Sequence, residues 1–407
     1  MQNKGKLFTF FCLYIAQSIP MSFFSTVLPV IMRQQHFSLE TIGMLQFLKL
    51  PWVLKFLWSP AVDRSSRTLS DYKRWIFSSE IIYAVVILAI SFVDFNVNPY
   101  LIIILVVFSF IASATQDIAT DALAVISFDK KNKSMVNSMQ SMGNFAGAMI
   151  GGGLLLLLYQ KMEWSSLLPF LAFFVVIALI PLLFFKDKKG TINREKEVPK
   201  ASPNDLLGFF KQKGIWKQIV FLFLYYAGII GILSMLKPML VDYGYNMKQI
   251  GVMSGIVGTT VGCIASLGGG FIVRKMSRMQ ARIIFAIPTL ITAIYFYLLV
   301  TQFPINTTTL HLGITLLWAS YGMATIVVYT TAMDCVRPGY EGTDFTIQTV
   351  ITHLSGMFMA AGAGKIASSL HYSGLFVVET AISLVSFLFI ISVFTGKSNP
   401  KVLQENE

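Results

Sequence analysis

The sequence predicts an all-α, polytopic membrane protein, with twelve transmembrane helices in two six-helix pseudo-repeats. Three observations carry this. The chain is 55% hydrophobic and 13% charged, with a mean hydropathy of +0.67, whereas soluble domains carry about 25% charged residues. Twelve apolar stretches each approach the roughly 20 residues a helix needs to cross a bilayer. One long polar segment, "DKKGTINREKEVPKASPNDLLGFFKQKG", divides them six and six.

In the first half the predicted spans cover 7–31, 39–61, 75–93, 99–127, 134–159 and 166–185. In the second half they cover 215–241, 248–273, 281–301, 309–335, 344–369 and 373–395. The domains follow as a bundle over 1–186, a linker over 187–214 and a second bundle over 215–407. "SPND" followed by "LLGFF" predicts a short helix within the linker. The first stretch is too long for the apolar region of a signal peptide and is read as an uncleaved span.

Basic residues set the orientation, because cytoplasmic loops accumulate Lys and Arg. With the N-terminus inside, 25 of the 32 fall in inner segments, 3 in outer loops and 4 within spans (Lys49, Lys55, Lys237 and Lys365). Both termini are therefore expected in the cytoplasm. The net charge of +12 is topological on this reading, and no nucleic-acid partner is expected. Short basic turns follow the second and eighth spans ("SPAVDRSSRTLSDYKRW" and "GGGFIVRKMSRMQAR"). "GNFAGAMIGGG" and "GMFMAAGAG" lie in the fifth and eleventh. These matched features suggest parallel repeats with close helix approach.

The polar residues inside the spans are the functional candidates, since an ionisable group there costs about 2.5–3.5 kcal/mol on insertion scales unless it faces a cavity or a partner. Asp117 and Asp121 lie four apart in the second half of the fourth span, on one helix face, and are read as proton-coupling groups. Two nearby carboxylates in a low-dielectric site make a usable proton acceptor. Asp121 has a second reading, as a helix-end anchor paired with the basic loop Lys130–Lys133. Polar stripes on the first, seventh and tenth spans supply candidate solute contacts: Tyr14 and Gln17, Tyr226, and Tyr329, together with Gln116 beside Asp117. Lys55, in the inner half of the second span, is placed to meet the carboxylates of the fourth.

Two motif readings fail. "GAGKIAS" lacks the Ser or Thr that must follow Lys365 in a phosphate-binding loop. Cys12, Cys263 and Cys335 are far apart and form neither a metal spacing nor a disulfide framework. No cofactor, metal or enzymatic activity is expected. A membrane-embedded enzyme, the remote alternative, would need a convergent nucleophile and base.

"KFLWSPAVDR" (55–64), "KRW" (73–75) and "SATQDIATDA" (113–122) resemble the AmpG-type muropeptide permeases, a branch of the major facilitator superfamily that also holds acetyl-CoA transporters and siderophore importers. "MDCVRPGYEGTDFTIQ" (333–348) is more similar to the rhizobactin and pyochelin permeases of the siderophore-importing group. The resemblance implies proton-driven import of a bulky polar solute across a bacterial cytoplasmic membrane by a functional monomer. A siderophore is slightly favoured over a muropeptide, with acetyl-CoA or another anionic solute behind both. It also implies that Asp63 and Arg64 help lock the two halves on the inner side. Arg274, Asp334, Arg337 and Asp344 are assigned to the same gating and structural group.

Overall fold

The computed structural model describes residues 2–37, 44–95, 97–159, 161–162, 164–185 and 206–394. The predicted linker between 187 and 205, and the start of the second span before residue 44, lie outside the described residues. The chain forms two compact units, Met1–Gln212 with Ala332–Val350, and Lys213–Thr331 with Ile351–Glu407.

Among the described residues, ten helical segments are long and apolar enough to cross a membrane. In the first unit these are α1 (Gln2–Gln34), α4 (Leu69–Ser91), α5 (Pro99–Ser127), α6 (Lys133–Met149) running through a π turn into α7 (Leu155–Tyr159), and α8 (Trp164–Ile177) running into α9 (Ile180–Leu183). After α10 (Leu206–Phe210), the short helix expected in the linker, come α11 (Ile215–Leu224) with α12 (Ala227–Asp242), and α13 (Met247–Ile250) with α14 (Thr259–Val273). α15 (Arg278–Thr301), α16 (Thr307–Asp334) and α17 (Glu341–Phe394) complete the chain. α17 is two helices that meet at His371, whose backbone is non-helical, so it holds the eleventh and twelfth spans.

The second span differs from the continuous helix expected. Its described part is a 3₁₀ turn at Met44–Lys49, α2 (Leu50–Leu54), a second 3₁₀ turn at Lys55–Leu57 and α3 (Ser59–Ser65). Pro51 and Pro60 explain the breaks. Each stands in the first turn of a short helix, where its missing N–H costs nothing, and each denies a longer helix one ladder hydrogen bond.

The faces are sorted as a bilayer demands. Ile82, Val85, Phe108, Leu157, Phe170 and Phe173 are all more than half exposed, and so much outward apolar surface suits hydrocarbon rather than water. Inward, α4 packs along α5 and α1 packs along α6. Phe23, Phe24, Val27, Leu28, Ile87, Val106 and Phe110 form the buried core between them. The α1–α6 seam is built on glycine. A Cβ on Gly143 would lie 2.7 Å from the Tyr14 Cβ, and one on Gly147 would collide with Ser18. Within hydrocarbon such close packing replaces the hydrophobic drive that water supplies elsewhere.

Gly147→Ala is therefore expected to lower stability by about 1–3 kcal/mol, the usual cost of overpacking, in unfolding measurements on the detergent-solubilised protein. Gly268→Ala, whose Cβ would meet open space, is the matched control and should change little. Equal losses for the two variants would contradict the seam.

Candidate functional site

α5 begins at Pro99, with the Asn98 side chain accepting from the Leu101 N–H. Its second half is buried nearly all round: Ser113, Gln116, Asp117, Thr120 and Asp121 are each at most 3% exposed. The i, i+4 spacing stacks the two aspartates on one face, and three neighbouring segments meet them there.

Asp117 uses both carboxyl oxygens. Oδ1 accepts from Gln17 Nε2 at 2.9 Å, and Oδ2 pairs with the Lys55 ammonium. Lys55 is itself only 1% exposed, and its ammonium lies 5.2 Å from the centre of the Trp52 ring. The break in the second span positions it: Lys55 starts a 3₁₀ turn just after α2. A few residues on, Trp58 Nε1 donates to Thr115 Oγ1 at 3.1 Å, tying the broken segment to α5. Asp121 Oδ1 accepts from the Tyr14 hydroxyl at 2.7 Å and from Gln140 Nε2 at 3.3 Å. Its Oδ2 accepts no hydrogen bond, and both polar atoms of the buried Gln116 side chain are likewise without a partner.

The cluster is thus one cation, two carboxyls and several neutral donors, shut away from solvent. A buried carboxylate is tolerable only when paired and hydrogen-bonded. Lys55 and Gln17 meet that need at Asp117, whereas Asp121 receives only neutral donors. The basic loop does not serve Asp121. Lys133 turns instead to the Met333 carbonyl at 2.7 Å and to Asp334 at 3.4 Å. Gln140, Trp52 and Trp58 join the cluster without having been singled out from sequence. Their intervals from Asp117 carry no periodic signal, because they arrive from other helices.

Tyr226 and Tyr329 lie in the second unit. Tyr226 is hydrogen-bonded to the side chains of Tyr329 and Thr352, and its ring meets Tyr321 edge-on at 5.7 Å.

The predicted gating residues fall in two groups. Arg64 and Arg274 are exposed. The others lie where 332–350 packs within the first unit. Asp63, in α3, receives four donors: the Gly342 N–H at 3.0 Å, the Thr343 N–H and hydroxyl each at 2.7 Å, and the Tyr72 hydroxyl at 2.8 Å. The two N–H groups belong to the first turn of α17, so the carboxylate caps the positive end of that helix. Gly342 permits the approach, since a Cβ there would sit 2.8 Å from Asp63 Oδ1. Arg337 grips Asp344 with a two-pronged contact, Nε to Oδ2 at 2.8 Å and Nη2 to Oδ1 at 2.6 Å. Gln212 Nε2 adds a weaker contact to Asp344 at 3.5 Å.

Burial pushes the Asp63 carboxyl up to about 6, against the donors from Thr343 and Tyr72, which favour the charged form. Its pKa in the folded protein then exceeds the unfolded value of about 3.9. The folded state binds more protons in between, so this group's contribution to stability falls as pH rises from about 4 through about 6. Asp63→Asn should therefore gain on the wild type in thermal midpoint as pH rises across that window. Midpoints that run parallel would contradict the assignment.

Comparison with known proteins places these features. The Major Facilitator Superfamily model matches residues 7–360. The chain is 23% identical to the anhydromuropeptide permease of Escherichia coli K12 over 384 residues, covering 92% of this chain and 77% of that one. It is also 23% identical to the putative transporter AmpG 4 of Rickettsia felis, over 97% of each chain. In fold it is similar to the human organic anion transporter MFSD10 (TM-score 0.74, 13% identity, 95% of this chain and 99% of that one). It is similar too to the proton:xylose symporter XylE (TM-score 0.68, 11% identity, 96% and 94%). With ten membrane-capable helical segments among its described residues and a family match over most of its length, this chain belongs to the Major Facilitator Superfamily.

Proposed function

We propose that this protein is a proton-driven importer of a cell-wall fragment of the anhydromuropeptide type. On this reading it works as a monomer in the bacterial cytoplasmic membrane, with both termini in the cytoplasm. The buried Lys55–Asp117–Asp121 cluster carries the proposal. One cation faces two carboxyls away from water, so a single bound proton balances the charge. Asp121, held by neutral donors, takes that proton first. A proton that reaches Asp117 releases Lys55, whose ammonium is then free for a carboxylate of the solute. In the first unit Tyr14, Gln17 and Gln116 supply hydrogen-bonding groups suited to a sugar–peptide solute, and in the second unit Tyr226 and Tyr329 supply hydroxyls and flat apolar faces of the same kind. Alternating access between two repeats would carry solute and proton together. Asp63, Arg337 and Asp344 would hold the 332–350 segment in place when the inner side is shut, with Arg64 and Asp334 in the same unit.

The solute class follows the relatives matched over most of the chain, which include an anhydromuropeptide permease and a putative AmpG transporter. Import coupled to protons has a parallel in the proton:xylose symporter that shares the fold. A ferric siderophore is the second reading, and residues 333–348 favour it.

Uptake into proteoliposomes under an imposed inward proton gradient decides between them. Labelled anhydromuropeptide should accumulate, and a labelled ferric siderophore should not. Asp117→Asn should reduce anhydromuropeptide accumulation to the level seen without a gradient. Accumulation by Asp117→Asn equal to the wild type would exclude this aspartate from coupling, and accumulation of the siderophore alone would overturn the wall-fragment reading.

A further inference from the structure

Glu80 has no part in the cluster, yet it is the most isolated acid among the described residues of the first unit. It lies eleven residues into α4, about 16 Å along the axis at 1.5 Å per residue. It is 0% exposed, and neither carboxyl oxygen has a hydrogen-bond partner. Among the described residues, no cation answers it from the elements packed around α4. α8 carries no titratable side chain. On α5, Asp117 and Asp121 are engaged by Lys55, Gln17, Tyr14 and Gln140. On α3, Asp63 is taken by Tyr72 and the start of α17, and Arg64 is exposed. α1 presents Tyr14, which donates to Asp121.

What Glu80 does have is a route to the site. Tyr83, three residues on and fully buried, is close enough to feel the Glu80 charge whenever that carboxyl ionises. The Tyr83 hydroxyl reaches the Gln17 carbonyl at 3.5 Å, and Gln17 Nε2 holds Asp117 at 2.9 Å. An ionised carboxyl with neither donor nor counter-charge is among the costliest groups to bury, and it escapes that cost by holding a proton. A helix that needed only packing at this position would use Leu or Met, so the acid calls for a role that requires ionisation at some stage.

We propose that Glu80 is a second proton-carrying group of this transporter, loaded in the buried arrangement seen here and unloaded when its face of α4 is opened to water. Tyr83 and Gln17 make its state felt at Asp117. The proposal rests on the proton-coupled reading above and adds one proton to the cycle.

Infrared spectra of the full-length protein in liposomes test the loaded state without any solute. The wild type should show, at neutral pH, the carbonyl stretch of an un-ionised carboxyl. Glu80→Gln should show that band diminished by one carboxyl, with the Asp121 share remaining, and Glu80→Asp should retain it in full. Identical spectra for wild type and Glu80→Gln would overturn the proposal. Uptake of labelled anhydromuropeptide tests the cycle. Each coupled proton adds up to about tenfold accumulation per pH unit of gradient. Glu80→Gln should therefore accumulate up to about tenfold less under a one-unit gradient, while still exchanging labelled for unlabelled solute. Wild-type accumulation with a wild-type pH profile in Glu80→Gln would overturn it, even if the band is diminished. Failure of the wild type to take up anhydromuropeptide sinks the wall-fragment reading and leaves the infrared comparison to decide Glu80.

Discussion

The burial of Lys55 against Asp117 is the constraint on which the first unit is arranged. Neither charge is tolerable in hydrocarbon alone, because the desolvation of each is repaid only by close pairing and further hydrogen bonds. Every element that reaches the pair has a local feature shaped for it. The second span is interrupted by Pro51 and Pro60, and Lys55 stands between the breaks. α1 brings Gln17 to Asp117 and, one turn earlier, Tyr14 to Asp121. α6 offers glycines where Tyr14 and Ser18 need room, and supplies Gln140 from the same helix. The site and the packing around it are one construction, and a change at the seam reaches the carboxyls through Tyr14.

A second device repeats this physics with different parts. Among the described residues Asp63 has no basic partner. It is met by two backbone N–H groups and the Thr343 hydroxyl at the start of α17, and by the Tyr72 hydroxyl of α4. A helix N-terminus supplies partial positive charge fixed by the backbone, with no flexible side chain to immobilise. Arg337 and Asp344 set the turn that presents those N–H groups, with Arg337 also stacked on the Tyr340 ring at 4.3 Å.

Much of this was legible in the sequence. Eleven of the twelve spans are helical where hydropathy put them, because twenty apolar residues in a row leave little else in a bilayer. The i, i+4 aspartates on an oily helix were conspicuous for the same reason, and Lys55 was placed near them by its depth in the second span. The misses share one cause, a dependence on neighbours distant in sequence. The second span kept its hydropathy, yet two prolines divided it. Three of the four donors that make Asp63 an anchor come from about 280 residues away, and two of them are backbone N–H groups that no side-chain pattern reveals. The Lys130–Lys133 loop looked like the partner of Asp121 because it is close in sequence, but Lys133 answers the acid at Asp334.

The central claim is that Lys55 and Asp117 are energetically one unit, and a double-mutant cycle on the unfolding free energy of the solubilised protein tests it most directly. Lys55→Ala should cost about 3–5 kcal/mol, because it strands a buried carboxylate, and Asp117→Ala should cost a similar amount by stranding the ammonium. The double variant should be markedly more stable than the sum of those losses predicts. Additive losses would mean that the two charges do not support one another, and would contradict the account.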